Sequence, residues 1–160
     1  MLDIWLTRDD AVMPSKAHPT DVGFDLTLVA EHKRMPHGGA IMYDTGVRVT
    51  PPEGFYVEVV PRSSLSKTGW IMANSVGVID PTYTGNIYVV VAPLMALPEA
   101  LPLQLPFTGF QMIVRKSHEA VEARLVTDRV QTSTSRAAGG FGSTTLYQDN
   151  NVNQYTLPSE

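Results

Sequence analysis

Proline and glycine recur so regularly along this chain that long helices are excluded from most of it. The 160 residues include twelve Pro and twelve Gly, which divide the sequence into short apolar runs. Few segments repeat apolar residues at helical spacing for three turns, so the pattern favours β structure. The strand-like runs are rich in Val, Ile, Phe and Tyr and are bounded by turn residues: Leu2–Leu6, Phe24–Val29, Gly46–Thr50, Phe55–Val60, Asn86–Val91, Phe110–Arg115 and Ala123–Val126.

Seven or more such strands predict an all-β fold, a jelly-roll-like (β-clip) barrel of short strands with at most one short helix. The helical signal is a single turn at Ser64–Thr68, with Ser63 or Ser64 as its cap. The length is that of one domain, and we expect the β-barrel to occupy residues 1–130. From Gln131 the composition changes to Thr, Ser, Gly and Ala, which cannot build a core. Residues 131–160 are therefore expected to form a flexible, extended C-terminal arm that orders only against a ligand or a neighbouring subunit.

Composition excludes several classes of function. The absence of Cys removes disulfides, Fe–S clusters, thiolate zinc sites and a thiol nucleophile. A net charge of -4 with scattered Lys and Arg argues against nucleic-acid binding. No apolar run reaches the roughly 18 residues of a membrane span, and the start does not resemble a secretion signal. We therefore expect an intracellular protein, in the cytoplasm or a host-cell compartment, with no membrane contact. Four histidines show no metal-binding pattern and are expected at the surface: His18, His32, His37 and His118.

Five short runs carry residues suited to a triphosphate site. In order they supply a carboxylate that can contact a metal, donors for phosphate, a carboxylate that can activate water, a polar amide, and a Gly-rich flap with an aromatic residue. The runs are Asp21–Leu26, Pro61–Ser64, Gly77–Tyr83, Phe110–Ile113 and Arg136–Thr144. The Gly-rich run lacks the Lys of a P-loop and no helix pattern follows it, so a Walker-type ATPase is not supported.

Each run also has a simpler interpretation. Gly77–Gly85 reads as a β-hairpin with Asp80 near its bend, where an aspartate often only satisfies local N–H groups. Pro61–Ser64 could be a rim arginine followed by two serines that cap a turn. A flexible linker would explain the glycines of the last run, but not the Phe141 embedded among them, which could stack on a base.

In order and approximate spacing, the five runs resemble the five motifs of the trimeric dUTPase family (deoxyuridine triphosphate nucleotidohydrolase). The longest agreement runs from Pro61–Leu65 through Asn74–Asp80 to Tyr83–Gly85. The resemblance implies that Asp80 is the general base that activates water to attack the α-phosphorus of dUTP, which yields dUMP and pyrophosphate. This would limit uracil in DNA and supply dUMP for dTMP synthesis. It also implies a Mg²⁺ cofactor that Asp25 contacts through water.

The resemblance further implies the substrate-binding residues. Arg62, Ser63 and Ser64 would grip the α- and β-phosphates, with Gln111 of the fourth motif beside them. Main-chain groups near Asn74 and Tyr88 would read the uracil edge, and Tyr83 would lie against the deoxyribose and refuse a 2′-hydroxyl. The neighbours implied with them are Gly77, Val78 and Ile79. The arm would close as a lid, using Arg136, Phe141, Gly142, Ser143 and Thr144. The family assembles as homotrimers whose active sites are shared between subunits.

The sequence departs from the family pattern at several positions. Thr108-Gly109-Phe110 precede Gln111, so one expected arginine is missing; Ala137 and Thr145 replace glycines, and Asn86 stands where Glu is common. The related dCTP deaminases share the scaffold but need a general-base Glu on the following strand, where this chain has Val90. A dUTP-sensing regulatory protein that binds a protein partner is the other alternative, although retention of Asp80 argues that hydrolysis is still available.

Overall fold

The computed structural model describes residues 1–36, 39–94, 102–118 and 122–125. This part of the chain contains strands joined by loops and one short 3₁₀ helix, Ser63–Lys67. The strands are β1 (Asp3–Leu6), β2 (Phe24–Leu28), β3 (Ala30–Arg34), β4 (Ile41–Asp44), β5 (Val47–Thr50), β6 (Phe55–Pro61), β7 (Trp70–Met72), β8 (Gly77–Ile79), β9 (Tyr88–Pro93) and β10 (Phe107–Lys116). The all-β prediction with at most one short helix is confirmed.

The strands form three sheets with only antiparallel pairing. One four-stranded sheet has the order β2-β10-β6-β8 and the other β3-β4-β9-β7, while β1 and β5 form a two-stranded sheet. Neighbouring strands are mostly distant in sequence, as in a jelly roll, so the sheets depend on long-range pairing. This topology brings β2, β10 and the end of β6 side by side, which determines where the polar pocket described below lies.

The core lies between the two large sheets and is built from alternate residues of their strands. Successive strand residues point to opposite faces, so β2 buries Leu26 and Leu28 while β6 buries Val57 and Val59, each at most 1% exposed. β10 adds Phe110 and Met112 on the same pattern. Each such side chain contributes roughly 1.5–3 kcal/mol of transfer free energy. A one-residue slip of register would turn this set to solvent, so burial also fixes the position of the polar residues between them.

Four strands were not expected from the sequence. β3 is Ala-Glu-His-Lys-Arg, an exposed strand at the edge of its sheet without apolar alternation, and β7 and β8 have only three residues each. β4, Ile41–Asp44, buries three of its four residues and so lacks the alternation of a half-buried strand. A strand at Ala123–Val126 is wrong for residues 123–125, which have no regular structure, and Val126 lies outside the described residues.

Two local predictions are corrected. The 3₁₀ helix has Arg62 rather than a serine as its N-cap, and Arg62 makes no side-chain capping hydrogen bond. The hairpin around Asp80 is also wrong, because β8 pairs with β6 whereas β9 pairs with β4 and β7. Residues 80–87, here called the Asp80 loop, therefore cross from one sheet to the other. The apolar residues on each side of the loop find partners in different sheets, which local sequence cannot reveal.

The chain divides into two units, and the first, Met1–Val121, contains all the strands named above. Of the second unit, Glu122–Glu160, the structure describes residues 122–125. The boundary expected at residues 130 and 131 lies outside the described residues. Among the residues that are described, none belong to a helix long and apolar enough to cross a membrane.

Candidate functional site

A polar pocket of about 300 Å³ opens where β2, β10 and the end of β6 meet. It is lined by residues from three of the five sequence runs: Asp21, Val22, Gly23, Asp25, Arg62, Ser63 and Gln111. The long-range pairing of β2 with β10, and of β10 with β6, places Gln111 opposite both Asp25 and Val60. The structure therefore brings together the first, second and fourth runs as one site.

Arg62 and Asp25 form an ion pair in this pocket. Arg62 Nη1 lies 3.2 Å from Asp25 Oδ2, and both side chains are about one-third exposed. The same guanidinium nitrogen donates to the Thr108 carbonyl oxygen at 3.2 Å, and the Arg62 N–H donates to the Gly109 carbonyl at 2.8 Å. A partly exposed pair of this kind contributes on the order of 1 kcal/mol or less. Both side chains are thus held in place, and either can turn to a ligand with only a small loss of free energy.

Gln111 completes the rim of the pocket and packs against a glycine. Its Nε2 donates to the Pro61 carbonyl oxygen at 3.4 Å, a long bond that leaves the amide available to other partners. Gly23 is buried beneath it, and a Cβ at Gly23 would overlap the Gln111 amide group. The glycine of the first run is therefore needed for contact with the fourth run.

We expect Gly23→Ala to displace the Gln111 side chain without unfolding the protein, because the overlapping atoms are the flexible end of that side chain. Loss of one hydrogen bond to a ligand predicts a KM increase of about tenfold with little change in melting temperature. Steady-state kinetics and thermal unfolding measure the two effects. Gln111→Ala is the matched control, and the double variant should be no worse than either single one. Additive losses would contradict this coupling.

Ser64 offers a further donor beside Arg62. Its hydroxyl oxygen is buried and has no hydrogen-bond partner within the described part of the chain. A buried hydroxyl left unpaired is unfavourable by roughly 1–3 kcal/mol. An anion that accepts a hydrogen bond from this hydroxyl would remove that cost. This fits the phosphate role that the sequence assigns to Ser63 and Ser64.

Asp80 lies elsewhere, at the start of the Asp80 loop. Its side chain is exposed, and its carbonyl oxygen accepts the Tyr83 N–H at 3.0 Å. The Tyr83 hydroxyl donates to the Asn86 carbonyl oxygen at 2.9 Å, and its ring lies so close to Gly85 that a Cβ there would overlap it. The loop therefore fixes Tyr83 beside Asp80 and leaves the carboxylate open to solvent or ligand.

The Asp80 loop is far from the polar pocket within one chain. Asp25 lies on β2, three strands away from β8, and the register is offset by about four residues along the strands. Strand spacing and rise per residue place the Cα atoms of Asp80 and Asp25 on the order of 20 Å apart. One chain thus presents two half-sites that cannot serve the same reacting phosphorus.

Main-chain groups near the Asp80 loop could read a base edge. Among the described strands, β8 lies at the edge of its sheet, so one side of Gly77, Val78 and Ile79 pairs with none of them. Asn74 and Tyr88 lie at the same end of the β7–β9 pair, where the Ala73 N–H donates to the Val90 carbonyl at 2.8 Å. The residues that the sequence assigned to base recognition are therefore close to one another.

Tyr88 is exposed and packs against a histidine. The His32 and Tyr88 ring centroids are 4.6 Å apart. Partial burial raises the pKa of the Tyr88 hydroxyl, and the negative charges of Asp44 and the Tyr83 phenolate would raise it further. The hydroxyl therefore remains a neutral hydrogen-bond donor at neutral pH.

A larger cavity of about 430 Å³ shares Arg62 with the polar pocket. Its lining is mainly apolar and includes Leu65, Trp70 and Met72. Because this lining is mainly apolar, the cavity suits a triphosphate much less well than the smaller polar pocket, where Arg62, Ser63 and Gln111 lie together.

Some of the predicted site lies outside the described residues: Arg136, Phe141, Gly142, Ser143 and Thr144. Of the histidines, His18, His32 and His118 are exposed and His37 is not described. In the described ranges, no three His, Asp or Glu residues cluster closely enough to hold a metal by themselves. Sequence reasoning gave no role to Asp21, which lines the pocket, or to Asp44. Asp44 is buried at the end of β4 and lies in none of the five runs, so nothing in the sequence indicated its burial.

Comparison with known proteins gives a consistent family. The dUTPase family profile matches residues 9–96. A deoxyuridine 5'-triphosphate nucleotidohydrolase of Streptomyces coelicolor is 36% identical over 136 residues, which cover 84% of this chain and 72% of the relative. The enzyme of the same name from Escherichia phage T5 is 33% identical over 153 residues, covering 89% and 97%.

A solved structure shows the same fold. The dUTPase of Staphylococcus bacteriophage 80alpha, a G164S mutant with dUpNHpp, superposes with a TM-score of 0.65 at 20% identity. The alignment covers 90% of this chain and 98% of the phage chain. At that identity the likeness establishes the jelly-roll fold rather than the ligand.

Proposed function

This chain belongs to the dUTPase family, and from that premise we propose that it hydrolyses dUTP to dUMP and pyrophosphate. The observation that carries the proposal is the convergence of Asp25, Arg62, Ser63 and Gln111, from three separate runs of the sequence, on one polar pocket. The product would supply dTMP synthesis, and removal of dUTP would limit uracil in DNA.

The polar pocket would bind the triphosphate. Arg62 presents a planar donor set to phosphate oxygens, and Ser63 and Ser64 add hydroxyl donors at the start of the 3₁₀ helix. The Ser64 hydroxyl already lacks a partner among the described residues, and the Gln111 amide makes only a long bond. These groups can therefore turn to the phosphates without breaking strong internal contacts.

The pocket also fits Mg²⁺. This ion keeps several of its waters and binds through one or two carboxylates together with substrate phosphates, so a full protein cage is not needed. Asp25 and Asp21 supply the carboxylates here, and Asp25 would hold the hydrated ion through water while releasing Arg62 to the phosphates. When bound, the ion would neutralise charge on the triphosphate.

The base and sugar would bind beside the Asp80 loop. Uracil presents acceptor, donor and acceptor groups in line, which main-chain groups around the β8 edge, Asn74 and Tyr88 can match. Cytosine would leave some of these groups unpaired, and that is costly in a buried site. Tyr83, held against Gly85, would lie on the deoxyribose and leave no room for a 2′-hydroxyl.

Asp80 would accept a proton from the water that attacks the α-phosphorus. Asp80 must lie within hydrogen-bond reach of this water, and the water must lie next to the α-phosphorus, yet Asp80 and the pocket of its own chain are on the order of 20 Å apart. A complete site therefore needs Asp80 from a second copy of the chain. We propose the homotrimer of the family, with each site shared between subunits.

Deleting residues 136–160 should lower kcat/KM about tenfold or more while the β-barrel stays folded, because Arg136, Phe141, Gly142, Ser143 and Thr144 would close over the γ-phosphate and the base. Product formation and circular dichroism measure the two properties. A shorter deletion, residues 146–160, is the matched control and should retain activity. A fully active protein truncated at residue 135 would rule out the lid.

Assays with dUTP, dCTP and UTP test the proposed reaction. Pyrophosphate and dUMP from dUTP alone support it, whereas ammonia from dCTP would indicate deamination. Val90, where a deaminase needs a Glu, is a partly buried apolar residue of β9 opposite Met42. Tight dUTP binding without turnover would instead indicate a dUTP-sensing protein with a protein partner.

A further inference from the structure

Three separate segments meet at the side chain of Asn86, one of the residues that depart from the family pattern. Asn86 Nδ2 donates to the two carboxylate oxygens of Asp44 at 3.2 and 3.4 Å. Asn86 Oδ1 accepts a hydrogen bond from Thr7 Oγ1 at 2.9 Å, and Thr7 shares this one proton with the Gly46 carbonyl oxygen at 3.1 Å. Asp44 is only 7% exposed, although it is charged. The Asn86 amide therefore helps to hold a buried carboxylate in place.

The Asp44 carboxylate determines which way the Asn86 amide points. A carboxylate only accepts hydrogen bonds, and Asp44 Oδ1 also accepts the Gly46 N–H at 2.8 Å. If the Asn86 amide turned over, its oxygen would face the carboxylate and two acceptors would be in contact. Asn86 is therefore locked between Asp44 on β4 and Thr7 after β1.

The main chain of Asn86 accepts the hydrogen bond that orients Tyr83. The Tyr83 hydroxyl donates to the main-chain carbonyl oxygen of Asn86 at 2.9 Å, and the side of the Tyr83 ring packs on Gly85. The following residue is also fixed, because the Ile87 N–H donates to the Val47 carbonyl at 2.8 Å. The end of the Asp80 loop is thus attached to β4 and β5, and Tyr83 takes its position from that attachment.

We propose that Asp44 and Asn86 are positioning residues that place the Tyr83 ring against the sugar and so set the preference for deoxyribose over ribose. This inference rests on the proposed function, and neither side chain touches the nucleotide. A shift of the Asn86 main chain moves the Tyr83 hydroxyl with it, which opens space where a 2′-hydroxyl is otherwise refused. The chemistry at Asp80, at the other end of the loop, is less affected.

An exchange of charge and amide tests this link. Asn86→Asp places two carboxylates together, which should displace the Asn86 main chain. The ratio of kcat/KM for dUTP to that for UTP should then fall about tenfold, as expected when one steric or polar contact that distinguishes two substrates is lost. Asp44→Asn should also lower it. The double variant restores one carboxylate and one amide in exchanged positions, so its ratio should return towards wild type.

A second variant and a control keep the test decisive if Asn86→Asp does not fold. Asn86→Ala removes the amide without adding a charge, and water can still reach Asp44; it should also lower the ratio. Glu31→Gln, which alters an exposed ion pair with Arg34 on β3, should leave the ratio unchanged. The inference is overturned if the folded Asn86→Ala protein keeps the wild-type ratio while its melting temperature falls. A wild-type protein that does not hydrolyse dUTP would instead remove the proposed function.

Discussion

Asp80→Asn is expected to lower kcat for dUTP hydrolysis by about 10²–10⁴-fold, the usual contribution of a positioned general base. Asparagine has nearly the same shape but cannot accept the proton of the attacking water. The Asp80 side chain is exposed, so the exchange should not disturb packing. The Kd for dUTP, measured by calorimetry with a non-hydrolysable analogue, should stay within about threefold of wild type, because Asp80 acts on the attacking water and donates no hydrogen bond to the phosphates.

A matched control separates this effect from a general change of charge. Asp9→Asn removes an equal charge from another exposed aspartate, and kcat should not change. Single-turnover measurements with excess enzyme would show whether the step that slows is chemistry rather than product release. Retention of wild-type kcat by the Asp80→Asn protein would exclude Asp80 as the base and return it to the role of a turn residue.

The fold class could be predicted from the sequence because it depends on local signals. For example, the run Phe55–Val60 is rich in Val, Phe and Tyr, and it forms a strand, Phe55–Pro61, within one residue of the expected bounds. The edge strand β3 could not be predicted, because its charged residues gain strand structure only from pairing with β4. The supposed hairpin around Asp80 failed for the same reason. The partners of β8 and β9 were decided by long-range pairing, not by the turn between them.

The candidate site, like the fold, could be predicted only in part from the sequence. The residue types of the sequence predicted Arg62 as a phosphate donor, the family resemblance implied Asp25 and Gln111, and the structure places all three on one pocket. Sequence could not indicate that Gly23 is small because Gln111 lies over it, since the two residues meet only through the β2–β10 pairing. Sequence indicates no role for Asn86 beyond its departure from the common Glu. Its partners, Asp44 and Thr7, are about 40 and 80 residues away in the chain.

Mixed assemblies of two inactive variants should regain activity, which is the strongest test of a site shared between chains. Arg62→Gln removes the phosphate-binding cation and Asp80→Asn removes the base, so each homotrimer should have less than about one-hundredth of wild-type activity. After unfolding and refolding together in equal amounts, some sites receive Arg62 from one chain and Asp80 from its neighbour. Random assembly makes about one quarter of the sites complete in this way.

The recovered fraction distinguishes the possible arrangements of the site. If Arg62 and Asp80 served the same site within one chain, no mixture of these variants could contain a complete site, and activity would stay at the level of the parents. A mixture of wild type with Asp80→Asn should retain about one half in either arrangement and measures how well refolding succeeds. Chains with two different affinity tags show independently that mixed assemblies formed. About one quarter of wild-type activity in verified mixed assemblies would therefore require that the 20 Å gap within one chain is bridged by a second copy.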